Sequence, residues 1–535
     1  MWQRNLLFFG LLAGGMYTLG ANLLPPREPS RVTNYVGGAY REAEFLASVA
    51  RVDESFHKQW SSDKVKPAEP ANDLAIARRL SLALTGTIPS LEEVRLFESL
   101  PAADRLPWWI DHLLQDRRYA DYFAERFARA WVGTENGPFI YYRRRRLISW
   151  LSDQLLANRP YDQLVRELLS SDGLWTDNPA TNFVSVTVQP DNQNQPDPVR
   201  LAGRVTRAFL GIRLDCAQCH NHPFADWKQT DFQSLSAFFG QTHVGFTGIY
   251  DGPGEYVAEE HKSKQTRVVA PAVPFAKDLV PATGSRREQL SAWVTNPKNP
   301  FFARSAANRV WALVVGRPLV EPVDNLEVES HGQPHLQVLA DDFVAHEFDV
   351  RRLIRVIACC QVFRLESAGG PENNEVADKT WSVFPLTRLR PEQVVGGVIQ
   401  AASVTTIDQE SHILFRLVRF GEQNDFVKRY GDSGEDEFDS RGGTIPQRLL
   451  MMNGKVVNER MKADITNASA RISWMAPDDA RAIEAAYLTV LTRRPSAEEA
   501  DYFVRSLGEP GADRPHKVED LCWALINSTE FSWNH

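Results

Sequence analysis

Five residues near the middle of the chain have the types and spacing to do chemistry: Cys216-Ala217-Gln218-Cys219-His220. Two thiols followed at once by an imidazole form the C-x-x-C-H pattern of covalent c-type haem attachment. Each thiol adds across a porphyrin vinyl group, the step between the sulfurs matches the vinyl separation, and the next side chain falls under the iron. On this reading Cys216 and Cys219 hold haem c and His220 ligates its iron. His222 extends the run to C-x-x-C-H-x-H, so a zinc or other transition-metal site using Cys216, Cys219, His220 and His222 stays open. That reading crowds its ligands, because the usual zinc pairs are widely spaced. A plain Cys216–Cys219 disulfide is the third reading. Met451, Met452, His243 and His331 are the candidates for a sixth ligand, and each also reads as core or surface.

The remaining cysteines, Cys359, Cys360 and Cys522, sit in apolar helical runs and read as buried thiols. Five cysteines in 535 residues do not make a disulfide-stapled scaffold. The start of the chain supplies a compartment in which a haem thioether or a disulfide can form. A short basic stretch precedes a mostly apolar run at 6–24, and Pro25-Pro26 follows. This reads as a signal peptide or an uncleaved signal anchor over 1–24. The expected location is therefore extracytoplasmic, in the periplasm or cell envelope, with membrane contact through that segment if it stays uncleaved.

Composition limits the other classes. Sixty basic against 68 acidic residues gives a net charge of −8, so nucleic acid is not an expected partner. The run Tyr141-Tyr142-Arg143-Arg144-Arg145-Arg146 reads as a solvated helix start. With one apolar run long enough to span a bilayer, channels and polytopic transporters are excluded. No Walker loop, nucleophile elbow, H-E-x-x-H helix or dinucleotide fingerprint is present. Nothing marks the chain as an enzyme.

The elements that must position the motif are helical. Apolar residues recur at helical period over 74–85, 110–114, 119–132, 147–158, 161–169, 199–213, 286–295, 302–315, 336–346 and 350–363. Leu201, Val205, Phe209 and Ile212 share one stripe that leads into the motif and would cover a porphyrin edge. Ser90 and Glu93 form a capping box after Gly86 and Pro89, and Ser496 and Glu499 repeat that phrase after Arg494-Pro495. Residues 245–285 lack helical period and include a strand-like Thr266–Val269. The fold class predicted is mostly α: two helical lobes, 51–244 and 286–535, joined by an irregular connector at 245–285 with little β. A linker at 25–50 and the signal or anchor helix precede them.

Longer strings resemble a known architecture. Arg78-Arg79-Leu80-Ser81-Leu82-Ala83-Leu84-Thr85-Gly86, the stretch from Phe209 to Phe224, Asn308-Arg309-Val310-Trp311, Leu319-Val320-Glu321-Pro322-Val323-Asp324 and the ending from Trp523 to Phe531 resemble a planctomycete type of two-domain protein. In that type a cytochrome-like domain of unknown function precedes a second planctomycete-specific domain. Pro446-Gln447-Arg448 departs from the Pro-x-Gln-Ala-Leu pattern of the type. The resemblance implies a C-x-x-C-H-bearing first domain but no established activity. Many relatives carry an additional cytochrome module, which this sequence lacks, so a redox or envelope protein partner is expected. The leading expectation is electron transfer. The rival is a non-redox scaffold or binding module whose cysteines and histidines form a structural metal site or a disulfide.

Overall fold

The computed structural model describes residues 37–134, 137–138, 140–189, 193–218, 220–221, 227–259, 265–326, 334–367, 374–408, 423, 425–431, 434, 438, 443–464, 467–509, 511 and 513–535. The signal or anchor segment at 1–24 lies outside them. Among the described residues no helix is long and apolar enough to cross a membrane.

Helices dominate. The first half runs α1 (Ala43–Asp63), α2 (Asp73–Thr85), α3 (Leu91–Ser99), α4 (Ala102–Gln115), α5 (Arg117–Val132), α6 (Arg144–Leu156), α7 (Tyr161–Ser170), α8 (Pro198–Val205) and α9 (Gln229–Ser236). After four short strands come α10 (Arg286–Val294), α11 (Phe302–Val315), α12 (Pro334–Ala345), α13 (Val350–Cys359), α14 (Pro391–Ala401), α15 (Ile445–Asn453), α16 (Lys455–Met461), α17 (Ala468–Met475), α18 (Asp479–Leu491), α19 (Ala497–Gly508) and α20 (Arg514–Ile526). The basic run after Tyr142 is the start of α6, with Arg145 and Arg146 exposed and Arg144 forked onto Glu125 at 2.9 Å through both terminal nitrogens.

The strand expected at Thr266–Val269 forms, in a region starting at Thr242 that holds more β than that one strand. This region carries two antiparallel hairpins, β1 (Thr242–Gly245) with β2 (Gly248–Asp251), and β3 (Tyr256–Glu259) with β4 (Thr266–Val269). A third two-stranded ladder joins β5 (Thr387–Arg388) to β6 (Trp533–Asn534).

Apolar burial falls in two large cores and a small cluster of Ala237, Ala258 and Val269. The first runs from Tyr40 to Phe384 and takes in α10 to α13 as well as the early helices. The second gathers residues from Leu389 to Phe531, together with Leu82, Ile88, Leu91 and Val94. The boundary between the cores thus falls near residue 385, and the hairpin region at 245–285 does not separate them. Trp109, Trp131, Trp293 and Trp311 are wholly buried, each contributing roughly 2–3 kcal/mol relative to exposure.

Helix α2 lies between the cores. Leu80 and Leu84 face the first and Leu82 the second, which accounts for an apolar pattern that goes round the helix. Its two arginines are buried with it. Arg78 donates to Val490 O at 3.1 Å, and Arg79 to Phe363 O at 3.0 Å and Leu365 O at 2.7 Å. Burial lowers both guanidinium groups, Arg78 to about 10 and Arg79 to about 9. The helix ends at Gly86, φ 67°, where a Cβ would lie 2.5 Å from the Tyr122 ring.

Both expected capping boxes form. Glu93 N donates to Ser90 Oγ at 3.0 Å and Ser90 N to Glu93 Oε2 at 2.9 Å, and Ser496 with Glu499 repeats the arrangement. The two repeated corners meet in space: Arg494 Nη1 pairs with Glu98 Oε1 at 2.6 Å, and Leu91 and Val94 share the second core with Leu488 and Leu491.

Candidate functional site

The segment leading into the motif is fixed from both sides. Asp197 caps α8, its carboxylate accepting from Val199 N at 2.9 Å and Arg200 N at 3.2 Å. The helix continues as one wide π turn over Thr206–Leu210 and stops at Gly211, φ 61°. The sequence predicts helix to residue 213. It ends early because Gly211 touches another part of the chain: a Cβ there would sit 3.0 Å from Leu326 Cγ and 3.2 Å from Ser305 Oγ, in a backbone region that already favours glycine.

Residues 319–326 close over this turn. Leu326, fully buried, donates its amide to Gly211 O at 2.8 Å. Arg213 places Nε 2.9 Å and Nη2 2.6 Å from Asp324 Oδ1, and Arg207 Nε lies 3.6 Å from Asp324 Oδ2. The loop is shaped by the wholly buried Asn308, which accepts from Leu319 N at 2.9 Å and Val320 N at 3.1 Å and donates to Val320 O at 2.9 Å. The string Leu319–Asp324 therefore has a physical role that the sequence did not reveal. Asp324, Asn308 and Leu326 support the approach to the motif from positions that are remote in sequence.

Beyond Arg213 the chain makes a 3-10 turn over Leu214–Gln218, with Leu214 and Ala217 buried. The Cys216 backbone lies in this turn. The Cys216 side chain and the whole of Cys219 and His222 lie outside the described residues. His220 is exposed, and its Nδ1 lies 2.7 Å from Asn221 O. A carbonyl only accepts, so Nδ1 carries the proton and, in the neutral ring, Nε2 keeps the lone pair. Asn221 Oδ1 accepts from Gln229 N at 3.0 Å, and Gln229 donates to Gln218 O at 3.2 Å, tying this corner to the start of α9.

The expected apolar cover is taken. Leu201, Val205, Phe209 and Ile212 are all buried in the first core, with the Phe209 ring 5.5 Å from those of Trp131 and Phe183. That stripe is spent on the protein's own packing. The sixth-ligand candidates are dispersed. Met451 is buried in the second core and Met452 is on the surface. His243 is on β1 with Nε2 3.1 Å from Pro253 O, and His331 lies outside the described residues. Among the described residues, which omit Cys219 and His222, no group of three His, Cys, Asp or Glu side chains is arranged to hold a metal ion.

Two of the other three thiols are buried as their runs predict, and Cys359 is only partly buried. Cys360 and Cys522 are buried, and burial pushes the Cys522 thiol up to about 12.

Residues 51–244 match the PSCyt2 family, described as a protein of unknown function (DUF1549), and residues 286–507 match the PSD1 family, described in the same words (DUF1553). The chain carries the two domains in tandem. The PSCyt2 part bears the C-x-x-C-H loop, and the PSD1 part supplies Asp324, Leu326 and Asn308, which hold the approach to it. Both matched segments contribute to the first core. No curated protein and no solved structure matches the chain.

Proposed function

We propose that this tandem PSCyt2–PSD1 chain is an extracytoplasmic electron-transfer protein that carries haem c at Cys216 and Cys219, with His220 Nε2 on the iron. The observation that carries the reading is the state of His220. In the C-x-x-C-H order it follows the second cysteine, and its Nδ1–H donates to Asn221 O at 2.7 Å. That hydrogen bond fixes the tautomer in which Nε2 keeps its lone pair, as the outer partner of a metal-bound histidine does.

Cys216 and Cys219 would hold the haem through thioether bonds, each S–H adding across one vinyl C=C with no external oxidant or reductant. The bound haem would supply one-electron exchange at iron. The chain's own contribution is to hold the loop. Arg213 with Asp324 and Leu326 with Gly211 fix its approach, while Leu214 and Ala217 anchor its buried side. The segment at 6–24 would tether the protein to the membrane if it is not cleaved, and a redox or envelope protein would exchange electrons with it.

A second reading has an observation in its favour. The stripe Leu201–Val205–Phe209–Ile212 is consumed by the core, so the loop suits a small ion or a disulfide better than a large apolar ring. Cys216, Cys219, His220 and His222 would then make a structural metal knot, zinc being the natural occupant, in a scaffold or binding module. The experiment is expression with the native export signal in a host that matures c-type cytochromes, then a haem stain of a denaturing gel. The haem reading predicts a stained band at the mass of the chain, absent in Cys216→Ala. An unstained band with stoichiometric zinc would replace it with the scaffold reading.

A further inference from the structure

A cavity in the second core, on elements that play no part in the motif loop, has the chemistry of a binding site. It is a half-open cleft of about 290 Å³ at the edge of that core, between the β5–β6 ladder and α15, close to the lower size of small-ligand sites. Two arginines are among the residues that line it, Arg388 and Arg448. Arg388 stands opposite Trp533 in the ladder, so the cation and the indole belong to one wall. Arg388 Nη2 donates to the hydroxyl of the buried Tyr430 at 3.0 Å, which aims the guanidinium without neutralising it. Thr529 and Ser532 add hydroxyls.

No Asp or Glu is among the lining residues. Among the described residues neither Arg388 nor Arg448 has a carboxylate within ion-pairing distance. Their neighbours in the second half do: Arg493 reaches Glu499 and Glu530 at 2.7 and 2.6 Å, and Arg514 reaches Asp479 at 3.0 Å. Two like charges brought to one concavity with no carboxylate among its described lining repel each other, and an anion between them relieves that cost. The planar fork of each guanidinium matches an oxyanion bidentately. We infer that this cavity binds a small organic anion, its carboxylate, phosphate or sulfate oxygens between Arg388 and Arg448 and a flat ring against Trp533.

The proposal is independent of what Cys216 and Cys219 carry. The test is calorimetric titration of the full chain at low ionic strength with sodium benzoate, inorganic phosphate and inorganic sulfate, repeated with Arg388→Gln and Arg448→Gln. Expected is one saturable site per chain that weakens by at least about tenfold in each variant. Benzoate binding tighter than the inorganic ions identifies the ring contact. Equal affinities reduce the ligand to an oxyanion and overturn the ring contact. Arg448 is exposed, so Arg448→Gln reads the site even if Arg388→Gln disturbs the fold. Absence of saturable binding, or binding unchanged in Arg448→Gln, would overturn the proposal.

Discussion

At the scale of single residues, Asp324 does the most to connect the two halves of the chain at the motif. Its carboxylate takes Arg213 at 2.6 Å and Arg207 at 3.6 Å, with Arg213 about two-fifths exposed. Solvent screening keeps such a pair modest. Asp324→Ala should therefore cost about 1–2 kcal/mol in urea unfolding, and Arg213→Ala should add little to it, since both remove the same contact. Equal and additive losses would mean that the pair does not couple. His335 makes a different prediction. Buried between Ser55, 2.7 Å from its Nδ1, and the Phe56 ring stacked at 3.9 Å, it is pushed down by burial from 6.5 to about 4. Between these values the unfolded chain takes up a proton that the folded one refuses. Stability should thus fall as pH drops from about 6.5 to about 4, and denaturation midpoints across that range should flatten in His335→Gln. An unchanged slope in that variant would remove His335 as the source. Neither residue announced itself in the sequence: His335 stood in a Gly- and Pro-containing stretch, and Asp324 in a string with no assigned chemistry.

At the scale of elements, what was local was legible. The period-3.6 stripes match α5, α7, α10 and α11 nearly end to end: α5 and α7 bury one broad face, α11 is buried all round, and α5 and α11 stop at Gly133 and Gly316. The Ser90 and Ser496 boxes were readable for the same reason. Ser90→Ala should cost about 1 kcal/mol, and more than Ser496→Ala, because Ser90 is buried and its hydroxyl also lies 2.9 Å from Thr406 Oγ1. Thermal unfolding of the two variants side by side checks the order, and an equal or reversed ranking would show that burial adds nothing to the cap. The departures come from remote partners. The helix expected over 350–363 breaks at Cys360, where Asp53, far upstream, accepts from Gln361 N at 2.6 Å. The helix expected to reach residue 213 stops at Gly211 because Leu326 occupies the space beside it. The β1–β2 hairpin had a signal in Gly245-Phe246-Thr247-Gly248, which was absorbed into the connector.

At the scale of the whole molecule, the two matched families do not correspond to two cores. The first core spans the PSCyt2 segment and the front of the PSD1 segment, and α2 returns the favour by placing Leu82 in the second. Arg78 and Arg79 reach from that helix to Val490, Phe363 and Leu365, so the halves are locked through backbone carbonyls that no sequence pattern exposes. The motif loop is thus built by both domains, its cysteines on one and its clamp on the other. On the function proposed above, this jointly held loop carries a covalent haem. The most direct measurement is a pyridine haemochrome spectrum of the purified chain, exported in a host that matures c-type cytochromes. The account predicts the spectrum of a thioether-linked haem at one equivalent per chain. A colourless protein, from cells in which a control cytochrome matures normally, would contradict it.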